Sequence, residues 1–240
     1  MKPVKLICIP YAGGTSSSYI RWAKYLHPGI EMINVELAGR GKRFGEPLYS
    51  AFEEAVNDVF LQIKRHIEPD VDYALFGHSM GSWISYELYY KLLEEGYPLP
   101  FHLFFSGRRA PHLVKKPDGY WKLPESEMVE LLLRYGGVSR EFMEDPQLLE
   151  LIMPMVRADF RITEEYVYQD KNIKLGCGVS VFTGRNDVDI PISDMYGWRD
   201  LSAQSCQVYE FAGNHFFIHE YAQEVVTAIH KILLKNMMVC

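Results

Sequence analysis

Residues 76–82 read FGHSMGS, and they contain a Gly-x-Ser-x-Gly pattern centred on Ser79. Before the pattern, DYALF (72–76) is a run of small and apolar residues that predicts a buried strand. After it, SWISYELYYKLLEEG (82–96) predicts a helix that ends at a glycine. A serine at such a strand-to-helix turn has a strained backbone, and its hydroxyl projects above the sheet as a nucleophile. The alternative is a turn serine without chemistry, so the rest of the chain has to supply an acid and a histidine.

The rest of the chain alternates between predicted strands and helices. Further strands are predicted at KLICIP (5–10), EMINVEL (31–37), FHLFFSG (101–107), GVSVFTG (178–184) and CQVYEFAG (206–213), and further helices at 50–67 and 220–235. This alternation indicates an α/β fold with a mostly parallel central sheet flanked by helices. Residues 111–170 interrupt it with helical patterns behind a proline-rich entrance. We therefore predict one domain, residues 1–240, with a helical lid inserted at about 111–170.

The composition is that of an ordinary globular enzyme. Hydrophobic residues make up 48% of the 240 positions and charged residues 23%, and the formal net charge of −6 argues against a dedicated nucleic-acid binder. The four cysteines are scattered without a CxxC pair, which favours a reducing compartment and indicates neither a disulfide framework nor a zinc site. The sequence shows neither a signal-peptide pattern nor an apolar run of about 18 residues. We therefore expect a cytoplasmic monomer with no nucleic-acid or membrane partner.

A serine nucleophile needs a base to take its proton, and the base needs an acid behind it. In enzymes with this kind of turn, the order along the chain is serine, acid, histidine. Asp187 lies just past the strand 178–184, and His215 lies just past the last strand. The carboxyl ends of parallel strands share one edge of the sheet, so both residues should meet Ser79 there. Asp187 is favoured over Asp189 and Asp194 because it falls directly in the turn.

The other histidines are weaker candidates for the base. His219 follows His215 by one turn, but it should lie at the start of the last helix. His78 neighbours the nucleophile, yet the turn should point it away. His112 lies at the entrance of the predicted lid, where a structural or substrate-facing role is expected. The remaining histidines have no obvious partner in the sequence: His27, His66, His102 and His230.

The carbonyl oxygen of a substrate gains negative charge during attack, so the site also needs an oxyanion hole. One donor should be the backbone N–H of Met80, the residue after the nucleophile. The other should come from the loop after the first strand, where Ala12 is favoured and Tyr11 is the alternative. Gly77 and Gly81 are expected because a Cβ at either position would collide as strand and helix pack together.

Six motifs together resemble one enzyme family, the type II thioesterases of nonribosomal peptide and polyketide synthesis. They are PYAGG (10–14), GHSMG (77–81), SGRRAPH (106–112), RADFR (157–161) and the pair TGRND (183–187) and GNHFF (213–217). The resemblance covers nearly the whole chain, and GHSMG alone is shared by many hydrolases. It departs from the family at Ser82, where Gly or Ala is common, and at Asn186, where a second Asp is frequent.

The resemblance implies an α/β-hydrolase fold with a helical lid. It also implies removal of unwanted acyl groups from the phosphopantetheine arm of carrier proteins. Carried over by position, the catalytic triad is Ser79, Asp187 and His215. The mechanism needs no metal and no cofactor, because phosphopantetheine arrives as part of the acyl or peptidyl carrier protein.

A carrier-protein partner would have to dock on local basic patches, since carrier proteins are typically acidic and this chain is acidic too. We predict that Arg108, Arg109, Lys115 and Lys116 steer the carrier protein. The alternative is that these are solvated cations on exposed loops.

Other functions stay open at this point, because the mechanism by itself does not separate esters from thioesters. They are a carboxylesterase or lipase, an acyl transferase, and a non-catalytic binding protein with a hydrolase fold. In the lid, Met128, Met153 and Met155 either form a pliable acyl pocket or belong to an ordinary core.

Overall fold

The computed structural model describes residues 3–113, 117–137, 140–143 and 145–237. Its centre is a six-stranded sheet in the order β2-β1-β3-β4-β5-β6, with every neighbouring pair parallel. The strands are β1 Val4–Ile9, β2 Ile30–Asn34, β3 Tyr73–His78, β4 His102–Ser106, β5 Gly178–Gly184 and β6 Cys206–Phe211. The predicted class, an α/β fold with a mostly parallel sheet flanked by helices, is confirmed.

The helices are α1 Phe52–Ile63, α2 Met80–Glu94, α3 Glu125–Tyr135, α4 Arg140–Met143, α5 Pro146–Glu165, α6 Ile192–Met195, α7 Phe217–Glu220 and α8 Ala222–Met237. Each predicted strand and helix has a counterpart, with bounds that differ by a few residues at the ends. A 3-10 helix at Ser16–Tyr25 follows the loop after β1. Its buried residues Tyr19 and Trp22 are three apart, which is the period of a 3-10 turn.

The central strands are buried on both faces, which explains their continuous apolar runs. Alternate residues of a strand point to opposite faces, so neighbouring side chains enter different cores. Ile7 and Leu75 belong to the core under α1 and α2. Leu6 and Phe76 belong to the core under α8. Because both cores cover the middle of the sheet, its carboxyl edge is a rigid support for the loops that follow the strands.

Helices α3, α4 and α5 lie between β4 and β5, where the chain was predicted to carry an inserted lid. Helices α3 and α5, with residues just before α3, have a small core of their own. Met128 and Met153 are buried in that core, and Met155 packs against it. The three methionines therefore have the core role, not the acyl-pocket role. Within the described ranges, no helix is long and apolar enough to cross a membrane.

Candidate active site

Ser79 occupies the turn between β3 and α2 with φ 53° and ψ −118°. A positive φ is uncommon for a residue with a side chain, so the backbone is strained here. A Cβ on Gly77 would lie 2.0 Å from the carbonyl oxygen of Gly81, and one on Gly81 would lie 2.4 Å from that of Ile9. Both contacts are to backbone atoms, so an alanine at either position would require the main chain to move. The two glycines therefore let β3, α2 and the end of β1 approach closely enough to hold the turn.

Ser82, which departs from the family pattern, braces the same turn. Its buried hydroxyl donates a hydrogen bond to the carbonyl oxygen of Gly77 at 2.8 Å. It also accepts one from the backbone N–H of Ser106, at the end of β4, at 3.0 Å. Sequence reasoning did not find this role, because the partner on β4 is brought close only by the sheet.

His215 and Asp187 meet at the carboxyl edge of the sheet. Nδ1 of His215 lies 2.7 Å from Oδ2 of Asp187 and donates to it, and the two side chains are only 7% and 1% exposed. The other oxygen of Asp187, Oδ1, accepts the backbone N–H groups of Asp189 and Ile190, each at 3.2 Å. The carboxylate is thus held on both sides, and it orients the imidazole of His215.

The competing carboxylates are paired with arginines instead. Asp189 accepts a hydrogen bond from Arg134 at 2.9 Å. Asp194 accepts one from Arg109 at 3.0 Å. The structure therefore brings Asp187, and neither of its two rivals, to His215.

Two other histidines lie close by, but their contacts do not suit a base. His78 is fully buried, and its Nδ1 lies 2.8 Å from the hydroxyl of Ser106. Burial lowers its pKa well below the ordinary value. His219 lies 2.9 Å from the hydroxyl of Tyr11, and burial lowers its pKa to about 4. His78 does not line the cavity, although its ring centre lies 5.1 Å from that of His215. His219 is paired with Tyr11.

The remaining histidines are distributed over the rest of the molecule. Nε2 of His112 lies 3.3 Å from Asp200. Nε2 of His102 lies 2.9 Å from the hydroxyl of Ser180 in the sheet. His27 and His230 contact each other, and Arg65 donates to His66.

Ser79 and His215 line one cavity of about 340 Å³. Helices α3 and α5 form part of its wall, through Leu132, Tyr135 and Phe160. No hydrogen bond joins Ser79 to His215 in the described part of the chain. Such catalytic contacts are often long without substrate and tighten when it binds. A larger groove of about 840 Å³ holds none of the candidate catalytic residues.

The predicted oxyanion donors line the same cavity. Met80 is the first residue of α2, and Ala12 lies in the loop after β1. Among the described residues, neither backbone N–H has an acceptor. Tyr11 lines the cavity too, so the choice between Ala12 and Tyr11 stays a prediction.

The two predicted docking arginines lie in the cavity wall and not on open loops. The guanidinium carbon of Arg108 lies 3.9 Å from the ring centre of Trp83, and its buried Nε has no acceptor among the described residues. Burial lowers the pKa of Arg108 to about 10. Arg109 donates to Asp194 and to the carbonyl oxygen of Asp189, both at 3.0 Å. The alternative that both are freely solvated cations is therefore wrong.

Lys115 and Lys116, the other two predicted docking residues, lie outside the described residues. The prediction that the four cations steer a carrier protein stays a prediction. Among the described residues, no cluster of His, Cys, Asp and Glu could hold a metal ion.

Comparison with known proteins identifies the family. The family model described as a thioesterase domain matches residues 4–233. Linear gramicidin dehydrogenase LgrE of Brevibacillus parabrevis is 35% identical over 233 residues, which cover 96% of this chain and 88% of that protein. The crystal structure of ClbQ from the colibactin NRPS/PKS pathway is 30% identical, with a TM-score of 0.93 over 100% of both chains. The type II thioesterase BorB from the borrelidin cluster is 28% identical, with a TM-score of 0.86 over 95% of this chain and 92% of that one.

These findings confirm the resemblance that the six motifs indicated. The name of the Brevibacillus protein describes a dehydrogenase, whereas the family model and the borrelidin-cluster structure describe thioesterases. The carboxylesterase or lipase alternative is not favoured. The chain belongs to the thioesterase domain family, and it is a hydrolase that acts on thioesters.

Proposed function

We propose that this protein hydrolyses acyl thioesters on the phosphopantetheine arm of carrier proteins, with Ser79 as nucleophile, His215 as base and Asp187 as orienting acid. The observation that carries the proposal is the 2.7 Å contact between His215 and Asp187 beside the cavity that Ser79 lines. The strained turn supports it, because it holds the Ser79 side chain at the cavity wall.

In the acylation step, Oγ of Ser79 attacks the thioester carbonyl while Nε2 of His215 takes the hydroxyl proton. The N–H groups of Met80 and Ala12 stabilise the oxyanion that forms. When the tetrahedral intermediate collapses, the carbon–sulfur bond breaks and His215 returns the proton to the leaving thiolate. The products of this step are an acyl ester of Ser79 and a free phosphopantetheine thiol.

In the deacylation step, His215 takes a proton from water, which attacks the acyl ester. The carbon–oxygen bond to Ser79 breaks, the serine recovers its proton, and a carboxylic acid leaves. Asp187 keeps the proton of neutral His215 on Nδ1, so that Nε2 is free to accept. The proton transfers take place between Ser79, His215, water and the leaving thiolate, while Asp187 orients His215, so the proposed cycle uses no metal and no cofactor.

A carrier-protein substrate is supported by the pathway named for ClbQ and by the shape of the site. Helices α3 and α5 contribute to the cavity wall that Ser79 also lines. This supports a lid over the site and a thioester delivered on a long pantetheine arm. Arg108 is placed to contact the arm or the acyl group inside the cavity, and Lys115 and Lys116 are the candidates for steering the carrier surface. We further propose that the protein edits wrongly primed carrier proteins. It would do so as a monomer in the cytoplasm.

The test is a comparison of matched substrates that carry one acyl group on a carrier protein, on coenzyme A and on an oxygen ester. We expect the highest kcat/KM with the carrier protein, the lowest with the oxygen ester, and background rates with Ser79→Ala. Equal turnover of carrier-bound and coenzyme A thioesters would exclude a carrier-specific role. Wild-type activity of Ser79→Ala would exclude the proposed nucleophile.

A further inference from the structure

A fully buried ion pair joins two distant parts of the chain close to the active site. Arg40, in the loop after β2, donates to both oxygens of Asp159, in the middle of α5, at 2.6 and 2.8 Å. Each side chain is only 1% exposed. None of the proposed chemical steps uses either group.

The same pair holds the loop that follows β1, residues 10–14, which we call the oxyanion loop. Oδ2 of Asp159 accepts the backbone N–H of Gly13 at 2.8 Å. Arg40 donates to the carbonyl oxygen of Gly14 at 3.2 Å. Two consecutive residues directly after Ala12 are therefore fixed by the ion pair.

The conformation of Gly13 allows the loop to come close to α5. Its φ is +78°, and a Cβ there would lie 3.0 Å from a methyl group of Val156 on α5. The loop thus bends into the left-handed region where it touches the helix, and its N–H meets the Asp159 carboxylate. Before Ala12, the hydroxyl of Tyr11 lies 2.9 Å from His219. Ala12 therefore lies between two anchored neighbours.

We propose that Arg40 and Asp159 are positioning residues, which set the oxyanion loop against α2 and complete the oxyanion hole only when α5 is seated. The inference rests on the proposed function, because it concerns the hole in which Met80 and Ala12 donate. Phe160 and Thr163 of α5 line the cavity, so the helix that meets the substrate also holds the loop. A shift of α5 moves Asp159, and Gly13 moves with it.

Stability by itself does not account for such a pair. Replacing a buried ion pair with apolar residues of similar volume is often neutral or stabilising, because both charges lose their hydration on folding. Apolar residues could not replace two hydrogen bonds that this pair makes. Asp159 accepts the N–H of Gly13, and Arg40 donates to the carbonyl oxygen of Gly14.

The test compares three variants with wild type. Asp159→Leu combined with Arg40→Met removes the pair without leaving a lone charge. Asp159→Asn keeps one oxygen for the N–H of Gly13 but removes the charge. Asp58→Asn is the control, because Asp58 makes a two-bond pair with Arg43, at 2.6 and 2.9 Å. Among the described residues this pair makes no hydrogen bond to residues 10–14, and each of its side chains is 22% exposed.

The measurements are kcat and KM for an acyl-coenzyme A, the inhibition constant of an alkyl trifluoromethyl ketone, which becomes an oxyanion on Ser79, and the thermal midpoint. We expect the double variant to lose about 10²–10³-fold in kcat, as for one lost oxyanion donor, and to bind the ketone more weakly by a similar factor. KM should stay within threefold of wild type. Asp159→Asn should lose about tenfold in both quantities, and Asp58→Asn should lose less than threefold.

A folded double variant with wild-type kcat and ketone affinity would overturn the proposal. If the double variant does not fold, the two single variants decide. The proposal is overturned if Asp159→Asn and Asp58→Asn have the same kcat and the same affinity for the ketone. A loss confined to KM or to the thermal midpoint would assign the pair to binding or to stability alone, which also contradicts the proposal. The proposed function fails separately, through an active Ser79→Ala.

Discussion

Replacing Asp187 with asparagine tests the proposed triad, because the two oxygens of the Asp187 carboxylate bind different partners. Oδ2 accepts Nδ1–H of His215 at 2.7 Å, and Oδ1 accepts two backbone N–H groups at 3.2 Å. An asparagine whose oxygen stays on the two N–H groups must turn its NH₂ towards His215. Nδ1 then becomes an acceptor, and the ring proton moves to Nε2. That is the nitrogen that has to accept the proton of Ser79.

The expected loss is therefore in kcat. In the serine-protease form of this triad, the same change lowers kcat about 10⁴-fold through the wrong tautomer, which corresponds to about 5 kcal/mol of barrier height. KM should change little, because the Asp187 side chain is 1% exposed and does not belong to the cavity wall.

The assay is steady-state release of thiol from an acyl-coenzyme A, with the thermal midpoint measured on the same samples. Asp189→Asn is the matched control, since Asp189 pairs with Arg134 at 2.9 Å and keeps its backbone N–H to Asp187. We expect this control to lose less than tenfold in kcat. The reasoning would be refuted if Asp187→Asn kept a kcat within tenfold of wild type. It would also be refuted if Asp189→Asn lost more than tenfold in kcat.

Two further predictions concern stability. Gly81→Ala places a Cβ 2.4 Å from the carbonyl oxygen of Ile9, so we expect the thermal midpoint to fall by at least about 6 °C, from about 3 kcal/mol of overpacking. Gly45→Ala, with nothing within 4 Å, should stay within about 2 °C, and a similar fall in both variants would contradict the steric argument. Burial lowers the pKa of His102 to about 4 from its ordinary 6.5, so the unfolded state binds more protons between these values. Stability should fall as the pH drops from 6.5 towards 4, with at most about 3 kcal/mol due to His102. His102→Gln should flatten this fall in urea titrations at several pH values, and an unchanged slope would remove His102 as its cause.

The sequence was sufficient for the parallel sheet and for the order of its catalytic candidates. Strands covered on both faces are continuous apolar runs, so β1, β3 and β4 are visible in the sequence itself. Ser79 is visible because a sharp turn between a strand and a helix demands glycines on both sides of it. Asp187 and His215 follow from the rule that loops at the carboxyl ends of parallel strands share one edge.

Only the tertiary structure decided which partners these groups take. Position in the turn favoured Asp187 over Asp189 in the sequence, but the contact itself depends on where His215 and Arg134 come to lie. Arg40 and Asp159 are separated by 119 positions, and no local pattern announces that they meet beneath the oxyanion loop. The physical reason is that periodicity and turn chemistry report on neighbours along the chain. Desolvated pairs are instead created by the packing of helices on the sheet, which brings distant residues together.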